Sequence, residues 1–181
     1  MVFQRSLLLL LILLLTHYGA SSAIFYVSAD GIDVNPGTRD HPFATIQKAQ
    51  GSALPGDTVY IRGGTYHITE SMISRVERNL FACITYLDKS GLAGKRINYW
   101  AYPQEKPVFD FTAVKPANQR VVGIWVEGDY IHIKGIEMTG VQVTITSHTE
   151  SYCIYSYGNH NIFELISMHD NLGTGLRHRR G

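Results

Sequence analysis

Downstream of residue 23, apolar side chains come in short alternating runs, each cut off by turn residues. Phe25-Tyr-Val-Ser28 is rich in β-forming side chains and reads as a strand. Asp30-Gly31, Asp33 and Asn35-Pro36-Gly37-Thr38 follow, all suited to tight or left-handed backbone. Thr45 is placed to cap a short helix whose apolar positions Ile46, Ala49 and Ala53 lie near helical spacing, and Pro55-Gly56-Asp57 ends it. Thr58-Val-Tyr-Ile61 alternates again and stops at Gly63-Gly64. From Thr69 to Gly94 no period is evident, which predicts a long loop carrying a weak strand or helix. Beyond Lys95 the texture becomes many short strands punctuated by glycine: Ile97, Tyr99 and Ala101 alternate, then Val108 to Phe111.

Between Ile124 and Asp170 the chain repeats itself. A shift of 30 residues lays Ile124 on Ile154, Gly128 on Gly158, Ile136 on Ile166 and Met138 on Met168. Trp125 then meets Tyr155, Asp129 meets Asn159 and Ile133 meets Phe163. A repeat of this length marks a solenoid, whose units bury their apolar faces only against neighbours. Short strands and Gly/Asn/Asp turns leave no room for long helices, so the units predict stacked β-coils about 4.8 Å apart. The expected fold is all-β, a parallel β-helix with a short N-terminal capping helix; a β-sandwich is the rival.

The first 23 residues change the picture of where the protein works. Arg5 supplies a positive start, Leu7 to Leu15 an unbroken apolar run, and Ser21-Ser22-Ala23 a small-residue cleavage site. The run is too short for a membrane span, which needs about 20 residues. Residues 1–23 therefore read as a secretory signal and 24–181 as one domain, secreted to the extracellular space or periplasm, with no membrane contact after cleavage. Removing Arg5 from 16 basic residues leaves 15 against 15 acidic ones. A formally neutral domain argues against nucleic acid as a partner. Cys83 and Cys153 are the two cysteines. Export permits a disulfide, while two separate buried thiols remain the alternative.

The string from Tyr26-Val27-Ser28 through Asp30-Gly31, Asn35-Pro36-Gly37-Thr38, Pro42-Phe43 and Thr45-Ile46-Gln47-Lys48-Ala49 to Gly56-Asp57-Thr58-Val59 resembles the N-terminal cap and first coil of right-handed β-helix proteins. The segment from Trp125-Val-Glu-Gly-Asp-Tyr to Met138-Thr-Gly140, with Asn161-Ile-Phe-Glu164 and Ser167-Met-His-Asp170, is similar to polysaccharide lyase family nine. That resemblance implies a substrate of acidic plant-type polysaccharide, pectin or polygalacturonate or rhamnogalacturonan, cleaved by Ca²⁺-dependent β-elimination. It implies clustered aspartates for the ion and a lysine as base, on coils later than the one holding Met168-His169-Asp170. No Asp-Asp pair occurs after residue 60. The expectation is a cap and first coils without the catalytic coils, a fragment or frameshifted product with no lyase activity, its catalytic residues beyond residue 181. A non-catalytic carbohydrate-binding or adhesive surface β-helix is the alternative, and an alginate-type lyase or epimerase a third.

Candidate chemistry within the chain is sparse. Asp30, Asp33 and Asn35 offer oxygen ligands, yet the EF-hand glycine and terminal glutamate are missing, so turn formation is the expectation and no convincing Ca²⁺ site is present. His160, His169 and His178 are nine apart, a spacing that suits exposed turns better than a metal. His169 and Asp170 are the expected substrate contacts. Lys134 reads as a solvated lysine, Arg177, Arg179 and Arg180 as a disordered basic end, and most of the eleven tyrosines as core and inter-coil ladders.

Overall fold

The computed structural model describes residues 22–145 and 150–179, so the apolar leader and Arg180 lie outside the described residues. Strand β1 (Ile24–Val27) precedes helix α1 (Ile46–Ser52). Then come β2 (Thr58–Ile61), β3 (Gly64–His67), a 3₁₀ turn (Glu70–Met72), β4 (Arg75–Glu77) and β5 (Phe81–Leu87). Three further passes follow: β6 (Ile97–Ala101), β7 (Pro107–Asp110) and β8 (Arg120–Val126); β9 (Ile131–Lys134), β10 (Glu137–Thr139) and β11 (Tyr152–Ser156); β12 (Ile162–Glu164), β13 (Ser167–His169) and β14 (Thr174–His178).

Each pass lays one strand on each of three sheets. The first sheet runs β1-β2-β6-β9-β12, the second β3-β7-β10-β13 and the third β4-β5-β8-β11-β14. All strand pairs are parallel except β4 with β5. This is a three-sided parallel β-helix, and a sandwich of antiparallel sheets is excluded.

The 30-residue repeat is the coil register. Met138 pairs with Met168, Ile124 with Ile154, Trp125 with Tyr155 and Ile133 with Phe163. Inside the bore these pairs extend into ladders: Tyr66, Phe109, Met138 and Met168 on the second sheet, and Val59, Tyr99, Ile133 and Phe163 on the first. Asparagines fasten the last two coils. Asn161 accepts from Ile131 N (2.8 Å) and donates to Gly128 O (3.0 Å); Asn171 accepts from Val141 N (2.8 Å) and donates to Met138 O (3.1 Å). The repeated glycine has a packing cause, since a Cβ at Gly158 would collide with Gly128 O of the coil before it.

The cap follows the expected chemistry. Thr45 caps α1 by accepting from Lys48 N at 3.0 Å, and Ile46, Ala49 and Ala53 are buried. Asp33 accepts from Ala44 N, Thr45 N and Thr45 Oγ1 at 2.8, 3.0 and 2.8 Å, so it organises the turn before the helix. Asn35 donates to Pro42 O.

Three readings are corrected. The segment predicted as a long loop holds β5, which is buried on both faces along its whole length. A strand buried on both sides has no alternation to detect. Gly64 begins β3 rather than ending β2. The basic end is not disordered through Arg177, because Thr174–His178 forms β14 and Leu176 stacks on Ile154 while Arg177 points outward. The cysteines settle as separate thiols: Cys83 lies in the outer aromatic cluster of the third sheet and Cys153 in the bore. Burial pushes them up to about 12 and about 11 respectively, which keeps both protonated.

Candidate functional site

The bore is lined with apolar side chains, including a cavity beside α1 bordered by Ile46, Tyr66, Phe109 and Ile124, so polar chemistry falls to the three outward faces, where alternate residues of each strand form columns along the coil axis.

The second sheet carries the predicted contacts. Its outward columns read Thr65, Val108, Glu137, Ser167 and His67, Asp110, Thr139, His169. His169 and Asp170 are both exposed. They are joined to each other at 2.9 Å through Nδ1, and His169 Nε2 meets Glu137 Oε1 at 2.9 Å. Asp170 and then Glu137 hold the His169 imidazole above its ordinary value. His67 sits 3.6 Å from Asp110, whose carboxyl is held low by the hydroxyl and backbone N–H of Thr112. These pairs clasp successive coils, and the structure does not bring His160 or His178 to them.

The third sheet is aromatic outside as well as apolar inside. Phe81, Tyr86, Trp125, Tyr152 and Tyr155 form a second cluster with Cys83 and Val122. Trp125 is 1 % exposed, stacked on Tyr86 and Tyr157 at ring separations of 6.0 and 5.0 Å. Arg75, Arg78, Arg120 and Arg177 lie over these rings, at 4.4 Å from Tyr86 in the closest case. The rings spend their faces on one another and on guanidinium groups, so this cluster is a satellite core.

The first sheet differs. Tyr26, Tyr60 and Trp100 occupy one outward column that continues into Lys134 and Glu164, and Tyr102 packs beside it. All four rings are half-exposed. Arg62 lies over Tyr102 at 4.9 Å and is clamped by Glu105 through contacts of 2.8 to 3.1 Å. Lys134 and His132 both reach Glu164, at 2.8 and 3.0 Å. The guanidinium of Arg62 and the ammonium of Lys134 hold Glu105 and Glu164 respectively below the usual carboxylate range. This row escapes a search for fixed spacings because the intervening loops differ in length. Its trace in sequence is a hydrophobic–aromatic–hydrophobic triplet in β1, β2 and β6: Phe25-Tyr26-Val27, Val59-Tyr60-Ile61 and Tyr99-Trp100-Ala101.

Residues 25–181 match the family model described as "Pel9A-like, right handed beta helix region". The chain belongs to this Pel9A-like right-handed β-helix family. Pectate lyase L of Dickeya chrysanthemi is 32 % identical over 172 residues, which span 92 % of this chain and 36 % of that protein. A solved structure of a rhamnogalacturonan lyase is 40 % identical with a TM-score of 0.81, covering 86 % of this chain and 38 % of its own. The crystal structure of pectate lyase Pel9A is 29 % identical at a TM-score of 0.58, over 82 % of this chain and 34 % of its own. This Pel9A-like chain thus spans about a third of the length of the relatives it matches.

Calcium, which the family resemblance implies, finds no fitting donor set here. Among the described residues no group of three or more His, Cys, Asp and Glu side chains gathers to hold a metal ion. The carboxylate of Asp33 is committed to the backbone and hydroxyl of the cap.

Proposed function

We propose that this chain forms the entrance cap and first coils of a secreted β-helix that engages acidic, uronate-containing polysaccharide of the pectin or rhamnogalacturonan type. The likeness to a rhamnogalacturonan lyase over most of the chain carries the reading. The reaction belonging to this family resemblance is β-elimination, in which a base removes the C5 proton of a uronate and the C4 glycosidic oxygen leaves. The described residues do not assemble that chemistry. Lys134, paired with Trp100 across the first sheet, spends its charge on Glu164. The role assigned to residues 24–181 is therefore binding and architecture. His169 and Asp170 are proposed as a minor contact for a sugar hydroxyl at the edge of the second sheet.

The purified chain is tested against polygalacturonate and rhamnogalacturonan with Ca²⁺ present, following the absorbance of unsaturated uronate ends. No turnover is expected, together with measurable retention on the acidic polymer. Turnover would refute the binding-only role, and failure to be retained on either polymer would remove the substrate class.

A further inference from the structure

The outward rings of the three sheets are not equivalent. On the third sheet they are buried in one another, and on the second the outward side chains are mostly His–carboxylate pairs and small residues. The first sheet alone, among the described residues, presents a column of outward rings that are each partly exposed. Tyr26 to Tyr60 is 5.9 Å between centroids and Tyr60 to Trp100 is 6.5 Å, one ring per coil along the helix axis. The column runs along the coil axis with one ring per coil, so an extended polysaccharide laid along that axis meets each ring in turn.

Charge around the row is asymmetric. Its carboxylates, Glu105 and Glu164, are already bound by Arg62 and by Lys134 with His132. Three further cations border it: Arg39, which stacks over Tyr102 at 5.8 Å, and Lys95 and Arg96, which line a groove with Asn98, Trp100 and His132. The Trp100 indole N–H, at the edge of that groove, has no acceptor among the described residues. A ligand oxygen reaching the indole after a small turn of the ring would satisfy this unpaired donor.

We propose that the outward face of the first sheet is a docking surface for one acidic polysaccharide chain laid along the coil axis. Sugar faces stack on Tyr26, Tyr60 and Trp100, and uronate carboxylates meet Arg39, Lys95 and Arg96. The occupant is a uronate polymer rather than a neutral glycan because the cations bordering the row are not matched by free carboxylates. This site rests on the uronate reading above and lies on a different face from His169 and Asp170.

The chain has two tryptophans, and Trp125 is buried, so a fluorescence change on adding oligogalacturonides reports Trp100. The experiment titrates the purified chain with oligogalacturonides, with neutral galactan as control, and measures mobility in gels containing polygalacturonate. Expected are a fluorescence change with the acidic sugar only, and a Kd raised roughly five- to tenfold in each of Trp100→Ala and Tyr60→Ala. Trp100→Phe should keep most of the affinity and lose the signal. Lys95→Ala should weaken binding and flatten its salt dependence without touching the sheet. Wild-type affinity in Trp100→Ala, Tyr60→Ala and Lys95→Ala alike would overturn this surface while leaving the uronate reading intact. Equal binding of galactan would overturn the choice of an acidic occupant. Absence of binding by the unaltered chain to any acidic polymer would remove both.

Discussion

Individual residues hold neighbouring coils together by matching groups across the roughly 4.8 Å gap. Asn161 and Asn171 each use both amide atoms on the previous coil, satisfying backbone groups that a turn would otherwise leave to water. His169 clasps in a pH-dependent way. Its folded proton affinity is raised, first by Asp170 and then by Glu137, so the protonated ring stabilises the last described coil. That contribution is complete below the ordinary imidazole value of 6.5 and disappears as pH rises through the higher folded value. Comparing melting temperatures of the unaltered chain and His169→Gln across pH should show a gap at acidic pH that closes at alkaline pH. A pH-independent gap would mean that the imidazole acts only as a neutral hydrogen-bond partner. Glu105, Asp110 and Glu164 have the opposite sign; their stabilisation is present above the ordinary carboxylate values and lost as pH falls through the folded ones.

At the scale of elements, the cap helix closes both the bore and an exposed strand edge. Strand β5 is paired with β4 only over Phe81 to Cys83, leaving backbone groups further along open to water or to another chain. Helix α1 answers them with two glutamines. Gln47 Oε1 accepts from Tyr86 N at 2.7 Å, and Gln50 Nε2 donates to Tyr86 O at 3.0 Å and to Asp88 Oδ1 at 2.8 Å. Gln50 is 5 % exposed, so its removal strands buried partners. Gln50→Ala should destabilise the chain by about 1–3 kcal/mol, read as a lower urea midpoint, and should increase self-association through the freed edge. An unchanged midpoint would show that water replaces the amide freely. The helix itself was legible in sequence from Thr45 and the spacing of Ile46, Ala49 and Ala53. Strand β5 was not, since a strand wrapped on both faces looks like an aperiodic apolar stretch. The aromatic row on the first sheet was missed for a related reason: its members belong to different coils, and no local pattern tells which strands become neighbours.

The whole molecule is a column of similar turns, each buried by the next, with one end closed by α1. Strand β1 pairs from Ile24 onward with Thr58, and Ala23 before it donates to Asp57 Oδ1 at 2.7 Å and accepts from Thr58 N at 3.0 Å. The reading of residues 1–23 as a secretory leader predicts that expression in a secreting host releases a protein whose N-terminal sequencing begins at Ile24. A mature chain retaining Leu7 to Leu15 would refute the signal reading.

Taken alone, the sequence determined the quantities that travel with local chemistry. Turn residues set where strands end, the 30-residue recurrence set the coil register, and the residues from Phe25 to Tyr66 set a capped entrance to a β-helix. These are short-range signals, because backbone preference and apolar alternation act over a few residues. Tertiary structure decided whatever depends on which face a residue takes and which coil lies beside it. It separated Cys83 from Cys153 onto opposite faces of one sheet, buried Trp125 while leaving Trp100 half-open, and spent Asp33 on the cap. Stacking of coils brings together residues 22 to 43 positions apart, and loops of unequal length hide that proximity until the chain is wound.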